Sequence, residues 1–204
     1  MRQGWIKICG LTREDAVVAA LTAGVDAIGF VFAASPRQLT VMQAHMLARA
    51  ARNSVPCVAV TRHPTAESLR EILGDFAPDV WQSDAGDLAV QTGVLKCTVL
   101  PVYRSRAAVP DAIAARPVRF LFEGQASGSG ALCNWTDAAA LAPQVELILA
   151  GGLNAQNVAA AIRAVRPFGV DVSSGVESHP GIKSPQKIFE FVRAARAAFQ
   201  ELSS

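Results

Sequence analysis

Residues 146–175 read ELILAGGLNAQNVAAAIRAVRPFGVDVSSG, and they contain the fold in miniature. Residues 146–150 form a short apolar run with the length of a buried strand. Gly151 and Gly152 turn the chain, and Asn154 offers a cap to the helix 158–165, whose apolar positions repeat at helical spacing. Residues 169–172 form a second short strand, and Ser173-Ser174-Gly175 turns the chain again. A strand, a crossover helix and another strand is the unit from which parallel sheets are built.

Working outward, the same unit recurs. Strands are expected at 5–9, 27–32, 57–60, 80–82, 95–102 and 118–122, in addition to 146–150 and 169–172. Between them lie Ala-rich helical segments. Thr12 with Asp15 reads as a weak capping box, Thr40 and Thr65 read as caps, and Thr136 as a helix start. A poorly patterned helix follows Asp84, and another is expected near 107–114. Pro185 opens an amphipathic helix with Ile188, Phe189, Val192 and Ala195 on one face. Eight such units in 204 residues leave about 25 residues per unit, which predicts one lean domain, 1–204, folded as a single closed α/β (β/α)8 TIM barrel. The competing architecture is an open doubly wound sheet, but no G-x-G-x-x-G follows the first strand.

Composition narrows the function classes. The chain is 51% hydrophobic and 18% charged, with 19 basic and 17 acidic side chains, so disorder is excluded. A net charge of +2 without a basic run argues against nucleic acid or an anionic membrane as partner. Cys9, Cys57, Cys97 and Cys133 lie far apart, with neither zinc-site spacing nor a disulfide pattern. No secretory leader or membrane span is read, and the expected location is cytoplasmic. His45, His63 and His179 share no metal-ligand spacing and are given no role; the acidic residues form no cluster in the pattern, so no metal is assigned.

In this architecture the chemistry lies where strands end and helix-bound loops begin. Gly151 and Gly152 after the seventh strand, with Ser173, Ser174 and Gly175 after the eighth, read as a phosphate cradle beside a short helix N-terminus. Two ordinary glycine turns are the alternative. Strand parity puts Lys7 and Cys9 inside the barrel and Ile6 and Ile8 outside, and an ammonium beside a thiol is expected to lower its pKa. Glu123 ends the apolar run Phe120-Leu121-Phe122, where burial would raise a carboxyl's pKa and suit a general acid; a solvated loop glutamate is the alternative. Asp171 is expected to face the mouth, where it could hydrogen-bond ligand hydroxyls or merely brace the neighbouring loops. Arg37 could clamp a ligand carboxylate, and Gln82 closes the fourth strand.

Several of these segments together resemble the phosphoribosylanthranilate isomerase family. They are Lys7-Ile8-Cys9-Gly10-Leu11-Thr12, residues 26–32 with Ser35-Pro36-Arg37, Ala150-Gly151-Gly152-Leu153-Asn154, and residues 171–177 followed by Pro180-Gly181 and Lys183. The resemblance implies an Amadori rearrangement of phosphoribosylanthranilate in tryptophan biosynthesis, without metal or organic cofactor, by a monomer or homodimer. It implies Cys9 as general base, Arg37 near the anthranilate, and phosphate on the two glycine-bearing loops. The family's acid is an aspartate after the sixth strand, where this chain has Glu123-Gly124 before a shortened loop to Gly128-Ser129-Gly130. The family's Gln-Leu-His-Gly after strand four appears as Gln82-Ser83-Asp84-Ala85. Displacing an acid by about 1 Å can cost a hundredfold in rate. Two classes are therefore carried: an active isomerase with Cys9 and Glu123, and a catalytically silent or redirected sugar-phosphate-binding barrel. An aldose–ketose isomerase acting on a related phosphoribosyl amine is a third.

Overall fold

The computed structural model describes residues 4–89, 95–110, 119–124 and 133–203. Eight parallel strands close into a barrel in chain order. They are β1 (Trp5–Cys9), β2 (Ala27–Val31), β3 (Cys57–Val60), β4 (Val80–Asp84), β5 (Thr98–Tyr103), β6 (Arg119–Phe122), β7 (Glu146–Leu149) and β8 (Gly169–Val172). Closure is made by β1 against β8, with Lys7 beside Asp171 and Ile8 beside Val172. The outer layer comprises α1 (Glu14–Thr22), α2 (Val41–Ala48), α3 (Ala66–Glu71), α4 (Ala85–Ala89), α5 (Trp135–Leu141), α6 (Val158–Val165) and α7 (Pro185–Ser203).

The alternation of side chains along each strand builds two cores. Inside the barrel, Leu100, Val102, Leu121, Ile148 and Ala150 pack with Trp5, Val80 and Phe168. Between strands and helices lie Ile6, Ile8, Phe120, Phe122, Leu147 and Leu149. The expected parity of the first strand therefore holds. On α7 the buried stripe is Ile188, Phe191, Val192, Ala195, Ala198 and Phe199, while Phe189 is exposed, one step off the stripe it was assigned to.

Helix ends follow the sequence in part. The Thr40 side chain accepts from Gln43 N, completing a capping box, and the Thr65 side chain accepts from Ser68 N. Thr12 does not cap α1: that helix begins after Arg13 without a side-chain cap, and Thr12 Oγ1 donates to Gly181 O at 2.7 Å. The cap of α5 is Asn134, so that helix starts one residue before Thr136. α3 runs on into a π-helical turn, Ile72–Phe76, ended by Ala77 in the left-handed region. A short hairpin, β9 (Glu177–His179) with β10 (Ile182–Lys183), extends the loop after β8. Nothing in the local pattern announced it. Of the helix expected near 107–114, residues 106–108 form a 3₁₀ turn and 111–114 lie outside the described residues, as do Val118 and the segment 125–130. Among the described residues, no helix is long and apolar enough to cross a membrane.

Candidate active site

A pocket opens at the C-terminal mouth of the barrel, and Cys9, Arg37, Gln82, Glu123, Asp171 and Ser173 all line it. These residues come from the ends of five of the eight strands, although 164 positions separate Cys9 from Ser173 in the chain.

Cys9 lies over β2 where the neighbouring residue is Gly29. A methyl group on Gly29 would sit 3.0 Å from Lys7 Cε and 3.1 Å from Cys9 Sγ, so the missing side chain makes room for both. Lys7 is wholly buried and donates to Asp171 Oδ1 at 2.8 Å. The expected lowering of the thiol is not what results. Burial pushes Cys9 above the ordinary thiol range, and the pull of Lys7 and Lys183 does not fully offset it. Lys7 itself is pushed down by burial but raised by Asp171 and Cys9, and ends above its ordinary value. Asp171 meets the mouth as expected, with one oxygen committed to Lys7 rather than free for a ligand hydroxyl. Burial raises the other thiols too, taking Cys57 to about 11 and Cys133 to about 12 and pushing Cys97 up.

Arg37 clamps a carboxylate, but the carboxylate belongs to this chain. Its Nε and Nη2 donate to Glu177 Oε1 and Oε2 at 2.6 and 2.9 Å. Lys183 donates to the same Oε1 at 2.7 Å and to Ser173 O and Oγ at 2.9 and 3.1 Å. Burial alone would raise Glu177, yet Arg37 and Lys183 together hold it below the usual carboxylate range; burial draws Lys183 down. Arg37, Glu177 and Lys183 are all buried. Two glycines admit this knot. At Gly10, with φ +72°, a Cβ would meet Arg37 Cδ at 2.6 Å, and at Gly181, with φ +84°, it would meet Pro36 O at 2.4 Å. The hairpin therefore fastens the loop after β8 onto the loops after β1 and β2. Glu177 and Lys183 were visible only as parts of a matching segment, with no pattern to pair them with Arg37.

The loops after β7 and β8 lie against each other. Gly151 and Gly152 have φ of +89° and +67°. A Cβ on Gly175 would fall 1.9 Å from Leu153 O, so glycine is needed there for the close approach of the two loops. Asn154 does not cap α6. Its Oδ1 accepts from the N–H groups of Gln156 and Asn157, and Asn157 Nδ2 donates back to Gly152 O at 2.9 Å. A single 3₁₀ turn, Ser174–Val176, follows β8. The glycine and serine N–H groups are thereby set in a braced double loop beside Ser173.

The middle of the barrel is arranged differently. Glu123 does not stand in an apolar pocket: Arg104, at the end of β5, donates to Glu123 Oε1 and, through Nη2 at 2.6 Å, to Asp84 Oδ1. Arg62 Nε approaches Asp84 Oδ2 at 3.7 Å. The absence of an acidic cluster in the sequence pattern is corrected here, because His63 Nδ1 and Asp87 Oδ1 are 2.8 Å apart and Asp84 stands beside them. His63, Asp84 and Asp87 bring ligand-type atoms within 4.8 Å of one another, with two arginines alongside. Gln82 is buried, and its Oε1 has no hydrogen-bond partner among the described residues. Arg104 was passed over in the sequence. Ending the fifth strand at Tyr103 instead of Val102 would have marked it as a strand-end residue.

The chain as a whole has close counterparts. A family model described as N-(5'phosphoribosyl)anthranilate (PRA) isomerase matches residues 6–194. The N-(5'-phosphoribosyl)anthranilate isomerase of Mesorhizobium japonicum is 40% identical over 211 aligned residues, covering 95% of each chain. The crystal structure of phosphoribosyl anthranilate isomerase from Thermus thermophilus matches with a TM-score of 0.82 at 28% identity, over 95% of this chain and 98% of that one. Another similar structure is a phosphoribosyl anthranilate isomerase in complex with reduced 1-(o-carboxyphenylamino)-1-deoxyribulose 5-phosphate, with a TM-score of 0.77, 26% identity, and 95% and 98% coverage. Spanning both the barrel and its mouth, these similarities place the chain in the phosphoribosylanthranilate isomerase family, the isomerases of tryptophan biosynthesis.

Proposed function

We propose that this chain carries out the family's Amadori rearrangement on N-(5-phosphoribosyl)anthranilate with Cys9 as general base and Glu123 as general acid. The observation that carries this reading is that Cys9 and Glu123 line one pocket, while ring closure sets the β7 and β8 loops between them. A phosphate held by the N–H groups of Gly151, Gly152, Ser173, Ser174 and Gly175 would leave the ribose spanning the gap from acid to base.

Glu123 gives its proton to the furanose oxygen as the bond from that oxygen to C1′ breaks, and the nitrogen lone pair forms the C1′ Schiff base. The Cys9 thiolate then takes the C2′ proton, and the electron pair neutralises the Schiff base to an enolamine. As the enolamine tautomerises, C1′ gains a proton and the C2′ hydroxyl loses one, which gives the 1-deoxyribulose product. Atoms balance without an oxidant or a cofactor. Gln82 Oε1, buried and without a hydrogen-bond partner among the described residues, accepts a substrate N–H or hydroxyl. Arg37 presents the guanidinium edge not used by Glu177 to the anthranilate, and Asp171 borders the ribose.

A second reading is a catalytically silent or redirected sugar-phosphate-binding barrel. It is favoured by one observation, the ion pair between Arg104 and Glu123, which engages the carboxyl that the active reading needs as its acid. Complementation of a tryptophan auxotroph lacking the isomerase, together with loss of substrate fluorescence in vitro, decides between them. The active reading predicts growth and turnover, and a fall in kcat of about 10²–10⁴ for Cys9→Ala with phosphate-ligand affinity retained. Folded protein with neither growth nor turnover would establish the silent barrel.

A further inference from the structure

We propose that Lys7 is a positioning residue for the Cys9 base: held by Asp171 and given room by Gly29, its ammonium steadies the thiolate that accepts the C2′ proton. This rests on the reading of Cys9 as base given above.

Four charged groups face Cys9, one from each element packed around it: Lys7 on β1, Asp171 on β8, Lys183 on β10 and Arg37 after β2. Arg37 and Lys183 are bound to Glu177, so their charges are largely spent within that cluster. Lys7 has one carboxylate partner, Asp171, and lies side by side with the thiol over Gly29. Stability does not account for such a lysine. Replacing a buried ion pair by packed hydrophobic residues of similar volume is often neutral or stabilising. The barrel interior already holds such residues, Leu100, Val102, Leu121, Ile148 and Ala150 packed with Trp5. A reacting thiolate does account for it, because a buried sulfur anion without a nearby cation is strongly disfavoured. Asp171 has the opposite influence: it anchors Lys7 but also opposes negative charge on sulfur, so the pair sets the thiol's acidity between two limits.

The experiment is the pH dependence of Cys9 alkylation by iodoacetamide, resolved by peptide mass spectrometry and run beside turnover on the full chain. The thiolate fraction rises with pH, so a higher thiol pKa shows as a midpoint moved to alkaline pH. Lys7→Met is expected to move the midpoint up by a pH unit or more, slowing alkylation about tenfold at fixed pH below it. Lys7→Arg should return most of that loss. Asp171→Asn should move the midpoint down, the opposite sign. Gly29→Ala, whose methyl would crowd Lys7 Cε and Cys9 Sγ, should move it up by less than Lys7→Met. If Lys7→Met does not fold, the opposed shifts of Asp171→Asn and Gly29→Ala carry the test. An unchanged midpoint in the Lys7 variants, or shifts of one sign for Lys7→Met and Asp171→Asn, would overturn the proposal even where Cys9→Ala abolishes turnover. Retained turnover in Cys9→Ala would overturn the base reading instead.

Discussion

From β7 round through β8 and β1 to β2, the polar side chains at the mouth are buried and bound to one another. Lys7 pairs with Asp171, Arg37 and Lys183 with Glu177; Gly10 and Gly29 leave room for Arg37 and Lys7, while Gly175 and Gly181 let the backbones of Leu153 and Pro36 come close. From β4 to β6 the counterparts Asp84, Arg104 and Glu123 keep side-chain exposures of 13–19% and adjoin the exposed Arg62 and His63. The first side resembles a finished core made of charges, in which Lys7 is fixed by Asp171 and Glu177 by both Arg37 and Lys183. On the second side Arg104 joins the carboxylates of Asp84 and Glu123 nearer to solvent, and Arg62 approaches Asp84. That difference coincides with where the chain keeps the family's segments and where it departs from them. On the reading proposed above, the base Cys9 would have a fixed, dry position on the tightly bound side, and the acid Glu123, which must be reprotonated each cycle, would have access to water on the open side.

The comparison can be broken first at Arg37. Arg37→Ala leaves Glu177 buried with Lys183 alone, and breaking such a pair costs about 3–5 kcal/mol. The drop should appear in denaturant unfolding, together with weaker phosphate binding, because the same knot holds Ser173. Loss of anthranilate-ligand affinity at unchanged stability would show instead that the arginine acts on the ligand alone. The stability it supports also carries a sign in pH. Glu177 lies below its ordinary value in the folded chain, so its contribution is present above about 4.5 and is lost as pH falls through the lowered value. A smaller effect is expected at Gly175→Ala, where the methyl would meet Leu153 O. Overpacking of this kind costs about 1–3 kcal/mol and should raise KM more than it lowers kcat. A parental KM there would mean that the double loop does not hold the phosphate.

The sequence foretold the closed side well because its signals are local. Strand parity placed Lys7 and Cys9 inside, and glycines in the loops after β7 and β8 marked tight turns. Alternation of short strands and helices led to the barrel. What local pattern does not carry is pairing across the ring: Arg37 and Glu177 are 140 residues apart, and no spacing rule joins them. The hairpin β9–β10 escaped notice for a related reason, since a two-residue strand has no periodicity to read. The lowered Cys9 thiol was wrongly expected because parity gives direction and not the extent of burial, and burial decides the outcome. Glu123 was likewise placed at the right strand end but given apolar neighbours, because its true neighbour comes from β5. Thr12 and Asn154 have cap-forming side chains at the right spacing, yet both bind elsewhere once loops from other units arrive.

The account turns on whether the open side supplies the acid. The kcat of Glu123→Gln, followed by loss of substrate fluorescence, tests that most directly, with affinity for a phosphate-bearing ligand measured alongside. Removing the proton from the reacting carboxyl should lower kcat about 10²–10⁴-fold and leave affinity within a few-fold of the parent. Near-parental kcat in Glu123→Gln would contradict the account and move the acid to another group at the mouth.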